Sequence, residues 1–156
     1  MRCVLAVAVL FIAAVQTTWA PTWQVGGVGP DLLLIVIISL GINLGWADGA
    51  LAGFALGFLQ GTMQGDGLGS YLVSRAMAGA LAGYLRPAIS QQNLFAPSLC
   101  VLSVGFAAES VFFLMAPRAF SEWLTSTVTL CVYCAALTPV LHLPVTAMLR
   151  RAQPPT

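Results

Sequence analysis

Residues 30–69 read PDLLLIVIISLGINLGWADGALAGFALGFLQGTMQGDGLG. Pro30 and Asp31 suit a helix start, the proline by its fixed φ and the carboxylate by its attraction to the positive end of the macrodipole. From Leu32 to Leu40 only Ser39 is polar, so the run has no face to turn toward water. A glycine then recurs at every fourth position: Gly41, Gly45, Gly49, Gly53, Gly57, Gly61, Gly65 and Gly69. A step of four is close to the ~3.6-residue helical turn and stacks glycines of one helix on one face, although the ladder crosses two turns and so is not one continuous surface, with Gly65 and Gly69 serving the second turn and the helix start after it. A strand would instead alternate at every second residue. The stretch reads as apolar helices with a flat small-residue face, on which one membrane helix can approach another closely.

The rest of the chain is of the same kind. Its 156 residues carry five Asp/Glu, six Arg and no Lys, or 7% charged, where a soluble domain carries roughly 25%. Mean hydropathy is +0.92. So few charges cannot cover a hydrated surface, which excludes a soluble enzyme, a nucleic-acid binder and a disordered chain. The expected class is an all-α polytopic membrane protein, one transmembrane domain over residues 1–156.

Working outward, spans are expected at about 3–20, 30–46, 49–64, 68–86, 95–116 and 123–149. The first resembles a signal peptide, but Pro21 after Ala20 disfavours cleavage, so it reads as an uncleaved helix. Asp48-Gly49 and Gly65-Asp66-Gly67 read as tight turns, AISQQN before span five as a loop, and Pro139 and Pro144 as breaks in span six. This is a six-helix transmembrane bundle. Five spans is the alternative, because span three has ~16 residues against a ~30 Å core, and spans two and three could be re-entrant. Trp19, Trp46 and Trp123 fall at span ends, as interfacial rings do. With both termini cytoplasmic, Arg2, Arg86, Arg150 and Arg151 lie inside and Arg118 outside, a positive-inside bias.

Two features carry the functional reading. For the glycine ladder, internal packing of spans two to four is the plain reading. The functional one is a docking groove for a partner helix at Gly45, Gly49, Gly53, Gly57 and Gly61. The second feature is a pair of charges at depth. Arg75 and Glu109 alone lie well inside spans, each seven residues from the outer end, ~10 Å deep on antiparallel neighbours. Unpaired, each would cost roughly 2.5–3.5 kcal/mol, so they are expected to pair. Asp31, Asp48, Asp66, Arg118 and Glu122, at span ends, read as solvated caps. His142 reads as a packed residue. Cys131 and Cys134, with Cys3 and Cys100, read as apolar fillers. No Walker A, GxGxxG, serine-protease or metal-ligand pattern is present, so no cofactor, no metal and no enzymatic activity are expected.

Gln16 to Pro87 resembles the MreD family of bacterial rod shape-determining membrane proteins. The likeness lies in the order and spacing of five features. These are Gln16 closing the first helix, the Pro-Asp-Leu-Leu-Leu run from Pro30 to Leu34, G-F-x-x-G-F-L from Gly53 to Leu59, Leu68-Gly69, and Ala-Gly-Tyr-Leu from Ala82 to Leu85. One departure is that Gln60-Gly61 stands about where the family usually carries an Asp. Residues 95–156 match in hydropathy alone. The resemblance implies a fold like that of the substrate-binding (S-component) subunits of energy-coupling-factor vitamin transporters. It also implies a non-enzymatic place in the cell-elongation complex of the inner membrane, among membrane lipids. The implied partners are MreC, RodA with its cognate penicillin-binding protein, and MreB. The alternative is a small-molecule or lipid-binding transporter subunit, for which Arg75, Glu109, Gln60, Gln64 and Asn43 are the available polar groups.

Overall fold

The computed structural model describes residues 28–152 apart from 66, 90–94 and 118, together with Ala14, Gln16, Thr18 and Gln24. The readings made above for the rest of span one, for Arg2, Trp19, Cys3, Asp66, Arg118 and residues 90–93 of the polar loop, lie outside the described residues, as do the side chains of Arg150 and Arg151. Among the described residues the chain is all-helical, with five α helices and no β strand. They are α1 (Leu32–Leu44), α2 (Trp46–Gln64), α3 (Leu68–Tyr84), α4 (Phe95–Met115) and α5 (Phe120–Ala152). A single 3₁₀ turn, Arg86–Ala88, follows α3.

The helix α1 runs through the middle of the bundle and touches all four others. Every residue from Leu33 to Ile42 is buried, as a helix apolar on all sides must be. Asp31 caps its first turn, Oδ1 accepting from the Leu34 N–H at 3.0 Å. The helix ends at Gly45, whose φ of 102° lies where side-chain-bearing residues are strained. The chain reverses there, and α2 starts at the next residue. The turn expected at Asp48-Gly49 is therefore displaced. Asp48 lies in the first turn of α2, where its charge faces the positive helix end. The following turn is where the sequence put it, with Gly65 at φ 77° and Gly67 at φ 70°.

The closest helix pair is α2 with α3, and α4 lies against α5. With 19 residues, α2 spans ~28 Å. It is longer than the sequence suggests because it begins at Trp46 rather than Gly49. Among the described residues two helices are long and apolar enough to cross a membrane, Phe95–Met115 and the Phe120–Ala147 part of α5, and α1 is a shorter apolar helix.

The break expected at Pro139 and Pro144 does not occur, because α5 continues through both. A proline removes one N–H from the helix ladder and crowds the preceding turn. Beside Pro139, Thr138 Oγ1 donates to the Cys134 carbonyl at 2.7 Å, while the carbonyl deprived of its N–H is that of Ala135. Pro144 is exposed, so Pro144→Ala restores a donor to the Val140 carbonyl without disturbing a packed contact. The expected result is a rise in the thermal unfolding midpoint in detergent, from a gain of up to ~3 kcal/mol. A lower midpoint would mean that the proline has a packing role.

Candidate functional site

Five helices converge at the end of the bundle where α1, α3 and α5 begin and α2 and α4 finish. Arg75, on the second turn of α3, is the centre. Its Nη1 donates to Glu109 Oε1 at 3.0 Å, so the two groups expected to meet from their depth are in contact. Its Nη2 donates to Asp31 Oδ2 at 2.6 Å. Its Nε donates to Gln60 Oε1 at 2.9 Å. Gln60 closes the ring by donating from Nε2 to Asp31 Oδ2 at 2.8 Å. Gln16 Nε2 donates to Asp31 Oδ1 at 3.2 Å, and Gln16 Oε1 accepts from the Leu33 N–H at 2.9 Å. The guanidinium also lies over the Tyr71 ring at 5.7 Å, and that ring packs on Phe112 with centroids 4.8 Å apart.

Asp31 corrects one expectation. It is a cap, but not a solvated one, being 5% exposed and ion-paired. A signal was present in the sequence. Asp31 opens an apolar run at the same bundle end as Arg75, and one cation near two carboxylates is a natural triad. What the sequence lacks is the rotation of α1 that aims Asp31 inward. Gln60 was visible only as one polar group among several, whereas its amide links the cation to the anion. Gln64 lines the cavity beside it. Asn43 lies at the other end and donates to Ser39 O at 2.8 Å and Thr146 Oγ1 at 3.3 Å. His142 is buried there between Ser39 Oγ and Thr146 Oγ1, at 3.1 and 3.3 Å.

The amide at residue 60 bridges because it both donates and accepts. Gln60→Glu replaces a donor 2.8 Å from Asp31 with a third carboxylate. The expected loss is at least the ~1–3 kcal/mol of an unsatisfied buried group, read as a lower unfolding midpoint at neutral pH. An unchanged midpoint would show that Asp31 does not depend on this donor.

The groove expected for a partner helix at Gly45, Gly49, Gly53, Gly57 and Gly61 is already filled by this chain. A Cβ at Gly49 would stand 2.5 Å from Gly79 O, at Gly57 2.7 Å from Tyr71 O, and at Gly61 2.9 Å from Leu68 Cδ1. Gly53 lies against the Arg75 backbone, 2.8 Å from its carbonyl carbon by the same measure. Gly45 forms the turn instead, where a Cβ would meet only Arg86 Nη1, at 3.8 Å. The glycines thus act inside the fold. They let α2 settle on α3 so closely that Gln60 reaches Arg75.

Two cavities open beside the hub. The larger, about 510 Å³, is lined by Gln16, Gln24, Gln64 and Tyr71 together with the ion-paired residues. The smaller, about 340 Å³, has Trp123, Ser126, Thr127 and Glu122 in its wall. Glu109, Phe112, Leu130 and Gly29 border both. Trp123 Nε1 holds the Glu109 carbonyl at 3.2 Å. Cys100, Cys131 and Cys134 are buried free thiols. Among the described residues no group of three His, Cys, Asp or Glu side chains could hold a metal ion. No family model matches this chain, and neither the curated proteins nor the solved structures include a match.

Proposed function

We propose that the chain is a non-catalytic, multi-pass subunit of the bacterial cell-elongation machinery, of the MreD kind. It sits in the inner membrane with both termini cytoplasmic. There it docks MreC and, with it, RodA, the cognate penicillin-binding protein and MreB. The observation that carries this reading is convergence. Gln16, Asp31 of the Pro-Asp-Leu-Leu-Leu run and Gln60, just past G-F-x-x-G-F-L, lie far apart in sequence and join one hydrogen-bonded ring. The glycines Gly53 and Gly57 of that motif set the helix contact beside it. The motifs that carry the resemblance therefore act as one structural unit.

Placement in a membrane is supported by the outward faces of α4 and α5. Leu99, Phe106 and Leu114 on α4, and Val132, Val140 and Leu143 on α5, are all exposed. Lipid tails solvate such a surface and water does not. With the glycine face occupied, MreC meets an outer face. The test is co-expression of the chain with MreC and purification through a tag on MreC. A stoichiometric complex retained in detergent is expected. MreC recovered without a folded chain beside it overturns the docking. A second reading, a small-molecule or lipid-binding subunit, is favoured by the larger cavity, whose volume lies within the ~300–1,000 Å³ of ligand sites.

A further inference from the structure

We infer that the two-chambered cavity is a binding site for a ligand bearing an ammonium group, with Glu109 as the residue that receives it. The inference rests on the ligand-binding reading and is independent of docking to MreC.

The argument is one of hydrogen-bond capacity and charge. Asp31 is saturated, since Oδ1 accepts from Leu34 N and Gln16, and Oδ2 from Gln60 and Arg75. Gln60 uses both ends of its amide. Arg75 directs Nε, Nη1 and Nη2 to protein acceptors and is 2% exposed. Glu109 differs. One carboxylate oxygen meets Arg75, its side chain is 17% exposed, and it borders both chambers.

The charges of Arg75, Asp31 and Glu109 sum to −1, and Glu122 in the second chamber adds another negative charge. An anion entering here would meet carboxylates and a cation that is already engaged. An ammonium would meet Glu109, the carboxylate that among the described residues accepts at one oxygen, from Arg75. The other walls suit the rest of such a molecule. Gln16, Gln24 and Gln64 offer neutral hydrogen bonds, and the Tyr71–Phe112 pair offers an aromatic surface. The cavity reaches from the bundle end, where Gln64 and Glu122 stand, down to Glu109, ~10 Å inside in the proposed orientation. The ammonium can therefore arrive on a lipid headgroup or as a free amine.

The test uses the full chain purified in dodecyl maltoside, which carries no amine. Native mass spectrometry and calorimetry compare phosphatidylethanolamine with phosphatidylglycerol of the same acyl chains, and free ethanolamine with ethylene glycol. Preference for phosphatidylethanolamine alone identifies a lipid source. Preference for free ethanolamine as well identifies a soluble one. Glu109→Gln is expected to weaken amine binding roughly 10- to 100-fold, the range of a charge-assisted hydrogen bond, and to leave Arg75 paired with Asp31. If that variant does not fold, Leu130→Trp decides instead. It fills the shared wall, keeps every charge, and is expected to abolish binding. Equal binding of amines and their neutral or anionic counterparts overturns the inference, as does amine binding that both variants leave unchanged. Tighter binding of phosphatidylglycerol, blocked by Leu130→Trp, would overturn the ammonium assignment and retain the cavity as a ligand site.

Discussion

Arg75→Met is expected to abolish recovery of folded protein. The substitution removes the only cation in contact with Asp31 and Glu109 among the described residues, and leaves two carboxylates facing each other across the space it held. Breaking a buried ion pair by removing one partner costs ~3–5 kcal/mol, and here one residue serves two pairs. A native domain has ~5–15 kcal/mol in all. The measurement is the fraction of chain running as a monodisperse peak in detergent, with its thermal midpoint. Arg75→Lys keeps the charge and loses the planar three-way fork, so it should still fold, with a midpoint below that of the wild type. The informative control is the triple variant Arg75→Met, Asp31→Asn, Glu109→Gln. It removes the orphaned charges and should recover much of the loss, because the cost lies in the unpaired ions. If Arg75→Met alone folds as well as the wild type, the hub does not hold this end of the bundle together.

Gly53→Leu should have an effect of the same order from a different cause. Even the Cβ would stand 2.8 Å from the Arg75 carbonyl carbon and 3.0 Å from Ala76 Cα. These are backbone atoms of a neighbouring helix, so no side chain can rotate aside. An ordinary overpacked core substitution costs ~1–3 kcal/mol. Here α2 and α3 must separate, and Gln60 then leaves Arg75. We expect a loss beyond ~3 kcal/mol and no folded peak. Gly69→Ala is the contrast within the same ladder. A Cβ there meets nothing within 4 Å, and alanine favours the helix by ~1 kcal/mol. Its midpoint should be unchanged or higher. Equal sensitivity at both positions would refute the assignment of the ladder to α2–α3 packing.

That contrast shows where the sequence stops being informative. The repeat of four by itself does not separate the eight glycines, and the turn residues around Gly65 mark only part of the division that the structure makes among them. Gly41, Gly49, Gly53, Gly57 and Gly61 pack against α3, Gly45 and Gly65 reverse the chain, and Gly69 faces open space. Periodicity records position along a helix and around its axis. It does not record where the helix ends or which neighbour lies against the glycine face. The prolines of α5 are a similar case. Local sequence predicts a break, while the packed bundle holds the helix through both.

The sequence by itself determined what depends on one dimension. Composition and the helical period pointed to an all-helical chain and to the flat face of α2, and residue counts put Arg75 and Glu109 at matching heights on antiparallel helices, where they meet. Depth is legible because each helical residue rises a fixed ~1.5 Å. Tertiary structure alone decided what depends on lateral arrangement. It turned Asp31 inward, made Gln60 the bridge between cation and anion, closed the glycine groove with α3, and left a cavity on which Glu109 borders both chambers. The physical reason is that helix rotation and crossing geometry come from the summed packing of all the helices, to which no single segment holds the key.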